Sequence, residues 1–497
     1  MKRRLDELLA GVDHRLDGNA TVAVTAVTGD SRRVVDGAVF VAVRGTAADG
    51  HAFVDAALDA GATAVVVEDA EVARRARARG AVAVVVPSTR EAIGRLTRRW
   101  YDAPDRTLDV VAVTGTNGKT TVSHLVRDLM RALGRRCGLI GTIRYDDLHE
   151  EIAAPLTTPG PEDLMALLAR VRSAGGDAVA MEASSHALDQ RRLSGIEVDV
   201  GAFTNITRDH LDYHGTHENY VAAKRRLLDH LFGRARTKAP GRAVAYVDDP
   251  TLGSLQWPAS TVRVGRHEDC EVRLLELHTD GEGTVLEVAI GDGRARLESR
   301  LLGGYNGANL LVTVGIGHAL GLGLEAMREA FPSLRPVPGR LEPVPLPGGP
   351  VALVDYAHTP DGMRGALEAV VDLTPGRVHL VFGCGGDRDR GKRPEMAAVA
   401  GSVADRIVLT IDNPRTEDPE RIFSDTLAGF GAASDRVHRI DDRREAIADA
   451  LGAAGPDDVV LVCGKGHETY QIIGTEKLPW DDREVLREAW RSIGGVS

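Results

Sequence analysis

The stretch that most constrains the fold of this chain runs from Val110 to Thr121. It reads Val-Val-Ala-Val-Thr-Gly-Thr-Asn-Gly-Lys-Thr-Thr, and apolar residues at helical spacing follow it from Val122 to Met130. This order predicts a buried strand, a glycine-bracketed turn and a helix. Such a turn directs backbone N–H groups and the positive end of the helix toward an anion. The stretch therefore predicts a phosphate-binding loop.

The side chains of this loop suit a nucleotide and its metal ion. Lys119 can reach the outer phosphates, and a hydroxyl from Thr120 or Thr121 can bind Mg²⁺. The usual phosphate loop has a glycine six residues before its lysine; this chain has Val113 there, so the loop is a shortened variant. An ordinary Gly-Asn turn is the alternative interpretation. A phosphate loop alone does not distinguish a kinase, a motor, a switch or a ligase.

Composition narrows the class of protein. The chain has 497 residues, 43% of them hydrophobic, a length that predicts about three domains. Its 61 basic and 72 acidic residues give a net charge of −11, which argues against nucleic-acid binding. The sequence shows no secretory signal and no run of about 18 apolar residues. Because its cysteines also lack metal-binding spacing, we expect a reduced, cytoplasmic location without membrane insertion.

Linker-like segments divide the chain into three predicted domains, residues 1–104, 105–336 and 337–497. The first is a small α/β unit with short apolar strands between Ala/Arg-rich helices. The second is a phosphate-loop domain with a doubly wound sheet, and it becomes rich in β-strand pattern from about Ala235 to Arg300. The third repeats strand, loop and helix, which predicts a Rossmann-like open sheet. The fold class is therefore α/β.

Polar residues follow several predicted strands of the middle domain. Glu182 ends an apolar strand, where a buried carboxylate is costly unless a cation balances it. The stretch from Thr204 to Gly215 combines His210 with carboxylates and a second imidazole, and Lys224 lies on the helix that follows. These groups predict Mg²⁺ or proton chemistry, with a solvated loop as the alternative.

Further polar groups lie on one later helix and in the last domain. Asn306 and Asn309 share a helical face suited to hydrogen-bonding a base or a phosphate, although N-capping by Asn306 fits equally well. Loops of mixed charge follow the strands of the last domain, which predicts a pocket for an amino acid because an amino acid carries both charges. These loops are Asp355–Pro360, Gly383–Pro394, Asp412–Arg415 and Gly464–Glu468.

Taken in order, the motifs resemble those of the Mur ligase family over nearly the whole chain. Any one motif is weak evidence, whereas the ordered set is specific. The set comprises Asp30-Ser31-Arg32, Gly115–Thr121, Thr157-Thr158-Pro159, Glu182–His186, Asp209–Asp212, Asp355–His358, Asp412–Arg415 and Gly464–Glu468. The resemblance implies that ATP phosphorylates a substrate carboxylate and that an incoming amine displaces the phosphate, which gives an amide, ADP and phosphate.

The resemblance also implies roles for individual residues. The catalytic residues would be Lys119, Glu182, His210 and Lys224. Mg²⁺ would be held by Thr120, Glu182, His210 and a carbamylated Lys224. ATP would contact Gly115, Thr116, Asn117, Gly118, Lys119, Thr120, Thr121, Asn306, Asn309, Arg340 and Asp355. The UDP-sugar-peptide would contact Ser31, Thr157, Thr158, Ser184, Gln190 and Arg192. The amino acid would contact Arg390, Asp412, Asn413, Pro414, Arg415, Gly464 and Glu468.

The Asp412–Arg415 loop resembles that of family members that use diaminopimelate. The resemblance thus implies addition of diaminopimelate to UDP-N-acetylmuramoyl-L-alanyl-D-glutamate in peptidoglycan precursor synthesis. Guanidinium groups of Arg415 and Arg390 can pair bidentately with the far carboxylate of diaminopimelate. Lysine has only an ammonium at that end, so the same arginine attracts one substrate and repels the other.

Departures from the family pattern keep alternatives open. Tyr305 stands where the family usually has Phe, and Ile411 stands where a small polar residue is commoner. A related ligase that adds another amino acid, such as lysine, is one alternative. A ligase of the folylpolyglutamate synthase type and a non-catalytic binder of UDP-sugar-peptides explain fewer motifs. We expect a monomer whose domains close around the substrates.

Overall fold

The computed structural model of the chain describes residues 2–45, 48–233, 236–371, 373 and 375–494. The chain divides into two compact units, and each is described by itself. Unit 1 consists of Met1–Gly115, Leu133–Phe203 and Val221–Ala243, and unit 2 of Thr116–Ala132, Thr204–Tyr220 and Val244–Ser497. The three domain boundaries expected from the sequence remain a prediction.

Strands and helices alternate along most of the described chain. The strands are β1 (Arg3–Arg4), β2 (Arg15–Asp17), β3 (Ala23–Val24), β4 (Ala26–Thr28), β5 (Ala38–Val41), β6 (Ala64–Val67), β7 (Val82–Val85), β8 (Asp109–Thr114), β9 (Cys137–Ile140), β10 (Arg144–Asp146), β11 (Glu151–Ala153), β12 (Ala178–Glu182), β13 (Val200–Phe203), β14 (Arg242–Tyr246), β15 (Val262–Gly265), β16 (Val272–Thr279), β17 (Thr284–Ile290), β18 (Gly293–Ser299), β19 (Glu342–Val344), β20 (Val351–Asp355), β21 (Val378–Phe382), β22 (Arg406–Leu409), β23 (Val437–Arg439), β24 (Val459–Cys463), β25 (Tyr470–Ile473) and β26 (Glu476–Pro479). The α-helices are α1 (Leu5–Leu9), α2 (Val54–Asp59), α3 (Ala70–Ala78), α4 (Thr89–Trp100), α5 (Lys119–Ala132), α6 (Pro161–Ser173), α7 (Ser185–Asp189), α8 (Leu211–His214), α9 (His217–Arg225), α10 (Leu227–Phe232), α11 (Pro250–Ser254), α12 (Gly304–Ala319), α13 (Leu324–Ala330), α14 (Pro360–Val371), α15 (Lys392–Val403), α16 (Pro419–Leu427), α17 (Arg443–Ala453) and α18 (Asp482–Ser492).

Unit 1 begins with a sheet of five strands in the order β2-β7-β6-β5-β4. Strands β4 to β7 pair in parallel, and β2 pairs antiparallel with β7 at one edge. Strands β5 and β6 are buried throughout, as expected for parallel strands covered on both faces. Apolar residues of α1 and α4 pack against one face of this sheet. The predicted small α/β unit is confirmed.

A second set of strands in unit 1 places the polar residues that matter for function. Strands β9, β12, β8 and β13 lie side by side in parallel. Glu182, the last residue of β12, pairs in register with Val113 of β8, two residues before Gly115. Glu182 therefore lies at the same carboxyl edge of the sheet as the start of the glycine turn, where ligands bind in doubly wound folds.

In unit 2, helix α5 begins at Lys119, directly after the glycine turn. Strands β15 to β18 form the β-rich part that the sequence predicted, with β16, β17 and β18 joined antiparallel. Helix α12 packs on α5 and on these strands. The run of apolar residues in its second half explains why most of the helix is buried.

The last part of unit 2 is an open sheet in the order β19-β20-β24-β21-β22-β23. All pairs are parallel except the edge pair of β19 with β20. The four polar loops predicted to collect at one edge do follow β20, β21, β22 and β24. The predicted Rossmann-like topology is thus confirmed. No helix in the part of the chain described here is long and apolar enough to cross a membrane.

Candidate functional site

The glycine turn requires its glycine at position 118. Gly118 has φ +83°, a conformation that other residues adopt only under strain. A Cβ atom placed there would lie 2.3 Å from Oδ1 of Asn309. The carbonyl of Gly118 accepts the first helical bond, from the N–H of Val122 at 2.8 Å. Since the N–H groups of a first helical turn have no partner within the helix, this turn can receive an anion.

A polar segment after β13 holds the loop in shape. The N–H of Thr116 donates to the carbonyl of Asn205 at 2.8 Å, and the N–H of Asn117 donates to Oδ1 of Asn205 at 2.8 Å. The hydroxyl of Thr204 donates to the carbonyl of Asn117 at 2.6 Å. Oγ1 of Thr116 lies 3.2 Å from the hydroxyl of the buried Tyr220. These bonds fix the loop before any ligand arrives, and fixed dipoles are what phosphate binding requires.

Lys119 and Asp209 give the loop its charge. Nζ of Lys119 donates to the carbonyl of Thr116 at 2.8 Å, so the side chain folds back over the turn. Asp209 is almost fully buried. Burial raises the pKa of its carboxyl, but the nearby imidazoles and the ammonium groups of Lys392 and Lys119 outweigh burial and hold the pKa below its ordinary value. Asp209 is thus held as an anion, while the adjacent His210 has φ +53° and is partly exposed.

The two asparagines lie on the first turns of α12. The Nδ2 group of Asn309 donates to Oδ1 of Asn306 at 3.0 Å, and Asn306 in turn donates to the carbonyl of Leu302 at 2.8 Å. The N-cap of α12 is Gly303, so the alternative that Asn306 caps the helix is wrong. Because Oδ1 of Asn309 faces Gly118, the structure brings this predicted nucleotide contact to the loop.

Arg340 is a second predicted nucleotide contact that reaches the loop. Its Nη2 lies 3.3 Å from the hydroxyl of Thr120, and its guanidinium stacks 4.6 Å from the ring centre of Tyr356. Asp355 is nearby and accepts the N–H groups of Leu341 and Ala357 at 2.7 Å each. Burial raises the pKa of Asp355, and Arg340 opposes that shift. The planar stack favours a guanidinium aimed at phosphate.

Glu182 is a buried carboxylate in unit 1. Its Oε1 accepts the N–H of Thr142 at 2.7 Å, and its Oε2 accepts the hydroxyl of Thr142 at 3.0 Å. A Cβ atom at Gly141 would lie 2.5 Å from Oε1, so the backbone passes close to the carboxylate. A fixed carboxylate oxygen is a ligand that suits Mg²⁺.

Lys224 is almost fully buried in unit 1, on helix α9. Its Nζ donates to the carbonyl of Gly115 at 2.6 Å. Both ends of this contact lie at the carboxyl edge of the sheet, the edge at which β12 ends in Glu182. Burying an ammonium group is costly, so a buried lysine at this edge of the sheet is expected to have a structural or chemical role.

The residues predicted to hold the UDP-sugar-peptide lie together in unit 1. The hydroxyl of Thr158 donates to the carbonyl of Glu182 at 2.8 Å and accepts the N–H of Ser184 at 3.1 Å. Nη1 of Arg192 donates to the carbonyl of Thr158 at 2.8 Å, and Nη2 donates to Oε1 of Gln190 at 2.7 Å. The hydroxyl of Thr157 is 3.1 Å from that of Thr142. One polar cluster therefore surrounds the end of β12.

Ser31 lies outside this cluster but is linked to it through helix α6. The N–H of Gly29 donates to Oε1 of Glu162 at 2.7 Å, and Arg33 pairs with Asp163 at 2.9 Å. Glu162 and Asp163 follow Thr158 by a few residues and form the first turn of α6. The loop that carries Ser31 is thus fixed to the segment that carries Thr157 and Thr158. Neither acidic residue was identified from the sequence.

The loops of the last domain converge on Asn413. Its Oδ1 accepts Nζ of Lys465 at 2.9 Å and the N–H of Ile472 at 2.9 Å, and its Nδ2 donates to Oε2 of Glu468 at 3.0 Å. Lys465 is fully buried and also pairs with Asp412 at 3.2 Å. Burial and the charge of Asp412 raise the pKa of Glu468. Two carboxylates held this way favour a cationic ligand.

Arg415 lies beside these carboxylates in a constrained loop. Its φ is +53°, and its Nη1 donates to the carbonyl of Gly386 at 2.7 Å. A Cβ atom at Gly386 would lie 1.9 Å from the carbonyl oxygen of Pro414, so only glycine allows the two loops to touch. The structure thus brings together Asp412, Asn413, Pro414, Arg415 and Glu468, with Gly464 against Asp412.

Three family descriptions match the chain. They are "Mur ligase family, catalytic domain" over residues 23–101, "Mur ligase middle domain" over residues 113–317 and "Mur ligase, glutamate ligase domain" over residues 339–466. Together they cover most of the sequence.

The chain belongs to the Mur ligase family.

Several curated relatives are similar to this Mur ligase. A UDP-N-acetylmuramoyl-L-alanyl-D-glutamate–2,6-diaminopimelate ligase from Synechococcus sp. (strain WH7803) is 43% identical over 412 residues, which is 80% of each chain. A ligase of the same name from Geobacillus kaustophilus is 41% identical over 408 residues, 82% of this chain and 83% of that one. The family predicted from the motifs is therefore confirmed.

Solved structures agree with this assignment. A structure of a UDP-N-acetylmuramoyl-L-alanyl-D-glutamate–2,6-diaminopimelate ligase matches with a TM-score of 0.69 and 32% identity, covering 100% of both chains. The MurF ligase of Thermotoga maritima in complex with ADP matches with a TM-score of 0.60 and 21% identity, covering 95% of this chain and 97% of that one. The latter likeness concerns the fold alone. The predicted α/β fold class is confirmed.

One residue predicted to contact the amino acid, Arg390, has a carboxylate partner in the structure. Arg390 pairs bidentately with Asp425 on α16, with two contacts of 2.9 Å. Arg388 and Arg415 both lie near Gly385: the Cγ of Arg388 and Nη1 of Arg415 are 3.9 Å and 3.2 Å from a Cβ built on that glycine. Burial and the charge of Arg388 lower the pKa of Arg415. The loop Asp387–Gly391 has no periodicity, so no local pattern distinguishes its arginines.

Proposed function

We propose that this Mur ligase joins diaminopimelate to UDP-N-acetylmuramoyl-L-alanyl-D-glutamate at the expense of ATP, in peptidoglycan precursor synthesis. One observation supports the choice of amino acid: the guanidinium of Arg415 lies near two carboxylates, Asp412 and Glu468, and within range of the charge of Arg388. Diaminopimelate carries a carboxylate and an ammonium at its far end, and this arrangement complements both. The curated relatives named as 2,6-diaminopimelate ligases support the choice.

The phosphate loop supplies the first half of the proposed reaction. An oxygen of the glutamate side chain or terminus attacks the γ-phosphorus of ATP, the bond to the β-phosphate oxygen breaks, and ADP leaves. Lys119 and Arg340 neutralise the charge that accumulates on the transferred phosphoryl group. The preformed loop and Asn309 hold the nucleotide, and Ser31 with the Thr158 cluster holds the sugar-linked peptide. The product of this half is an acyl phosphate and ADP.

The loops of the last domain supply the second half. The amine of the amino acid attacks the acyl carbon, the carbon–oxygen bond to phosphate breaks, and the amine loses a proton. Asn413, fixed by Lys465 and Glu468, orients the Asp412–Arg415 loop so that the amine is aimed correctly. The products are the amide and inorganic phosphate. The order of the two halves requires the domains to approach each other, as expected for ligases that exclude water.

Mg²⁺ fits the chemistry of the residues assigned to it. Glu182 offers a fixed carboxylate in unit 1, and Thr120 offers a hydroxyl and His210 an imidazole in unit 2. We propose that these groups and a carbamylated Lys224 bind Mg²⁺, which when bound neutralises phosphate charge. Carbamylation turns the amine of Lys224 into an anion but leaves one N–H on Nζ, so the bond to the carbonyl of Gly115 can persist. We also propose a cytoplasmic monomer.

Substitution of the three arginines tests the proposed specificity. We expect Arg415→Ala to raise KM for diaminopimelate about a hundredfold, because a bidentate charged contact contributes on the order of 2–3 kcal/mol. Arg388→Ala should raise it by about tenfold. Arg390→Ala should leave KM within about twofold, since Asp425 is its partner and exposed ion pairs contribute little. Steady-state phosphate release with varied diaminopimelate measures all three.

The matched pair of Arg388 and Arg390 makes this series decisive. Both arginines are exposed and lie in the same loop, so a general effect of removing charge would appear in both variants. A larger rise in KM for diaminopimelate in Arg390→Ala than in Arg388→Ala would contradict the assignment of Arg388 to the amino-acid site. Wild-type KM in Arg415→Ala would contradict the proposed role of the loop, and efficient use of lysine by the unmodified enzyme would favour the alternative amino acid.

A further inference from the structure

A large cleft in unit 1 is separate from the residues assigned to substrates above. Its volume is about 810 Å³. It is bounded by the start of the chain through Gly11, by helix α4 and the turn after it, and by segments around Ser194 and His230. Among the described residues that line it, none is a predicted contact of ATP, of the UDP-sugar-peptide or of the amino acid.

Arginine dominates the charge of this cleft. The described lining includes seven arginines, Arg3, Arg95, Arg98, Arg99, Arg106, Arg191 and Arg236. The same lining holds five carboxylates, those of Glu7, Glu91, Asp102, Glu197 and Asp229, so cations outnumber anions in the cleft, whereas the whole chain has a net charge of −11. A local basic surface on an acidic protein is how such a protein attracts an anionic ligand.

Several of these arginines are balanced by carboxylates. Arg98 contacts Asp105 at 2.9 Å and Glu197 at 2.8 Å, and both carboxylates are buried. Arg3 pairs with Asp102, and Arg191 pairs with Asp229. These ion pairs link the wall of the cleft to neighbouring segments. The carboxylates neutralise the charges of the arginines that they contact. These arginines do not need a ligand.

Three arginines are different. In the part of the chain that the structure describes, Arg95, Arg99 and Arg106 form no ion pair with a carboxylate. Arg95 donates to the carbonyl of Gly11 at 3.0 Å, and Arg106 donates to the hydroxyl of Thr237 at 3.3 Å. Nη2 of Arg99 lies 3.5 Å from a Cβ built on Gly11, so Arg95 and Arg99 reach the same residue. Burial, followed by the charges of Arg98, Arg106 and Arg95, lowers the pKa of Arg99.

We propose that this cleft binds a small molecule that carries linked phosphate groups. Three like charges so arranged repel one another, and an anion with several oxygens relieves the repulsion. Guanidinium groups match phosphate oxygens bidentately, and one carboxylate cannot satisfy three of them. The volume exceeds that of pyrophosphate and leaves room for an attached organic group. Pyrophosphate and a nucleoside diphosphate both carry the diphosphate group that this cleft is proposed to recognise.

Binding of inorganic pyrophosphate to the full-length protein tests this proposal. Isothermal titration calorimetry on the unmodified protein should show a saturable site. The double variant Arg99→Gln/Arg106→Gln should bind at least tenfold more weakly. Both side chains are exposed, so we expect an unchanged melting temperature. Arg90→Gln, on the same helix but outside the cleft, should bind as the unmodified protein does.

A further variant separates this cleft from the phosphate loop. Lys119→Ala should keep the pyrophosphate site, because Lys119 does not line the cleft. Titration with guanosine diphosphate distinguishes the sources: tighter binding than pyrophosphate indicates that the organic group is recognised, and equal binding indicates that the phosphates alone are. The proposal is overturned if the unmodified protein shows no site, if the double variant binds normally, or if Lys119→Ala abolishes binding.

Discussion

We expect Lys119→Ala to lower kcat of ATP-dependent phosphate release by about a thousandfold, the size of effect seen when a preorganised charge at a transition state is removed. Nζ of Lys119 lies over the phosphate loop, 2.8 Å from the carbonyl of Thr116. In the ground state that carbonyl holds the ammonium in place. As the phosphoryl group transfers, negative charge spreads over its oxygens, and the ammonium stabilises this charge. The loss should therefore fall mainly on kcat.

The loop itself should survive this substitution. Its shape depends on bonds from Thr116 and Asn117 to Asn205 and from Thr204 to Asn117, none of which involves the lysine side chain. We therefore expect an unchanged melting temperature and a KM for ATP that rises less than kcat falls. Lys2→Ala removes an exposed lysine elsewhere and serves as the control. A near-normal kcat for Lys119→Ala would contradict the proposed role of Lys119 in stabilising the transferred phosphoryl group.

Substitution of Lys224 has the second-largest expected effect. We expect Lys224→Ala to lower kcat by roughly a hundredfold or more, because loss of a metal ligand or of its support costs at least that much. The side chain is almost fully buried and its Nζ is 2.6 Å from the carbonyl of Gly115. If Lys224 is carbamylated, ¹³C NMR of protein equilibrated with ¹³C-bicarbonate should show one carbamate carbon, and Lys224→Ala should lack it.

A second lysine of unit 1 provides a matched control. Nζ of Lys238 donates to the carbonyls of Asp105 and Leu108 at 2.9 and 2.8 Å and pairs with Asp199, so its role is structural. Lys238→Ala should lower the melting temperature but keep the carbamate signal. An active unmodified enzyme without any carbamate signal would mean that Lys224 works as an ammonium group that fixes the glycine turn.

Local pattern was enough to predict the elements. The helix expected over Val122–Met130 is part of α5, and the apolar strand expected to end at Glu182 is β12. Each element carries its own periodicity and its own turn signals, so neighbours in sequence suffice. The glycine turn was predicted for the same reason. The resemblance implied that Gly118 and Asn309 both contact ATP, but their own contact was not predicted, because nearly 200 residues separate them and no local rule joins them.

The loops of the last domain mark the limit of that approach. Asn413 is fixed by Lys465 and Glu468, more than 50 residues away. Arg388 and Arg390 are two positions apart and chemically identical. Only the position of Asp425 in the fold shows that Arg390 is the one paired with a carboxylate of α16. A tertiary contact of this kind leaves no trace in one sequence. The sequence therefore predicted the chemistry of this pocket, but it could not show that Arg390 pairs with Asp425.

The choice of amino acid is the central claim, and comparing the rates with two amino acids in separate assays tests it most directly. With ATP and UDP-N-acetylmuramoyl-L-alanyl-D-glutamate supplied, phosphate release is measured with diaminopimelate and with lysine at equal concentrations. The guanidinium of Arg415 and the two carboxylates near it predict kcat/KM for diaminopimelate at least a hundredfold above that for lysine, about 2.7 kcal/mol of discrimination. Equal use of the two amino acids, or a preference for lysine, would contradict the account.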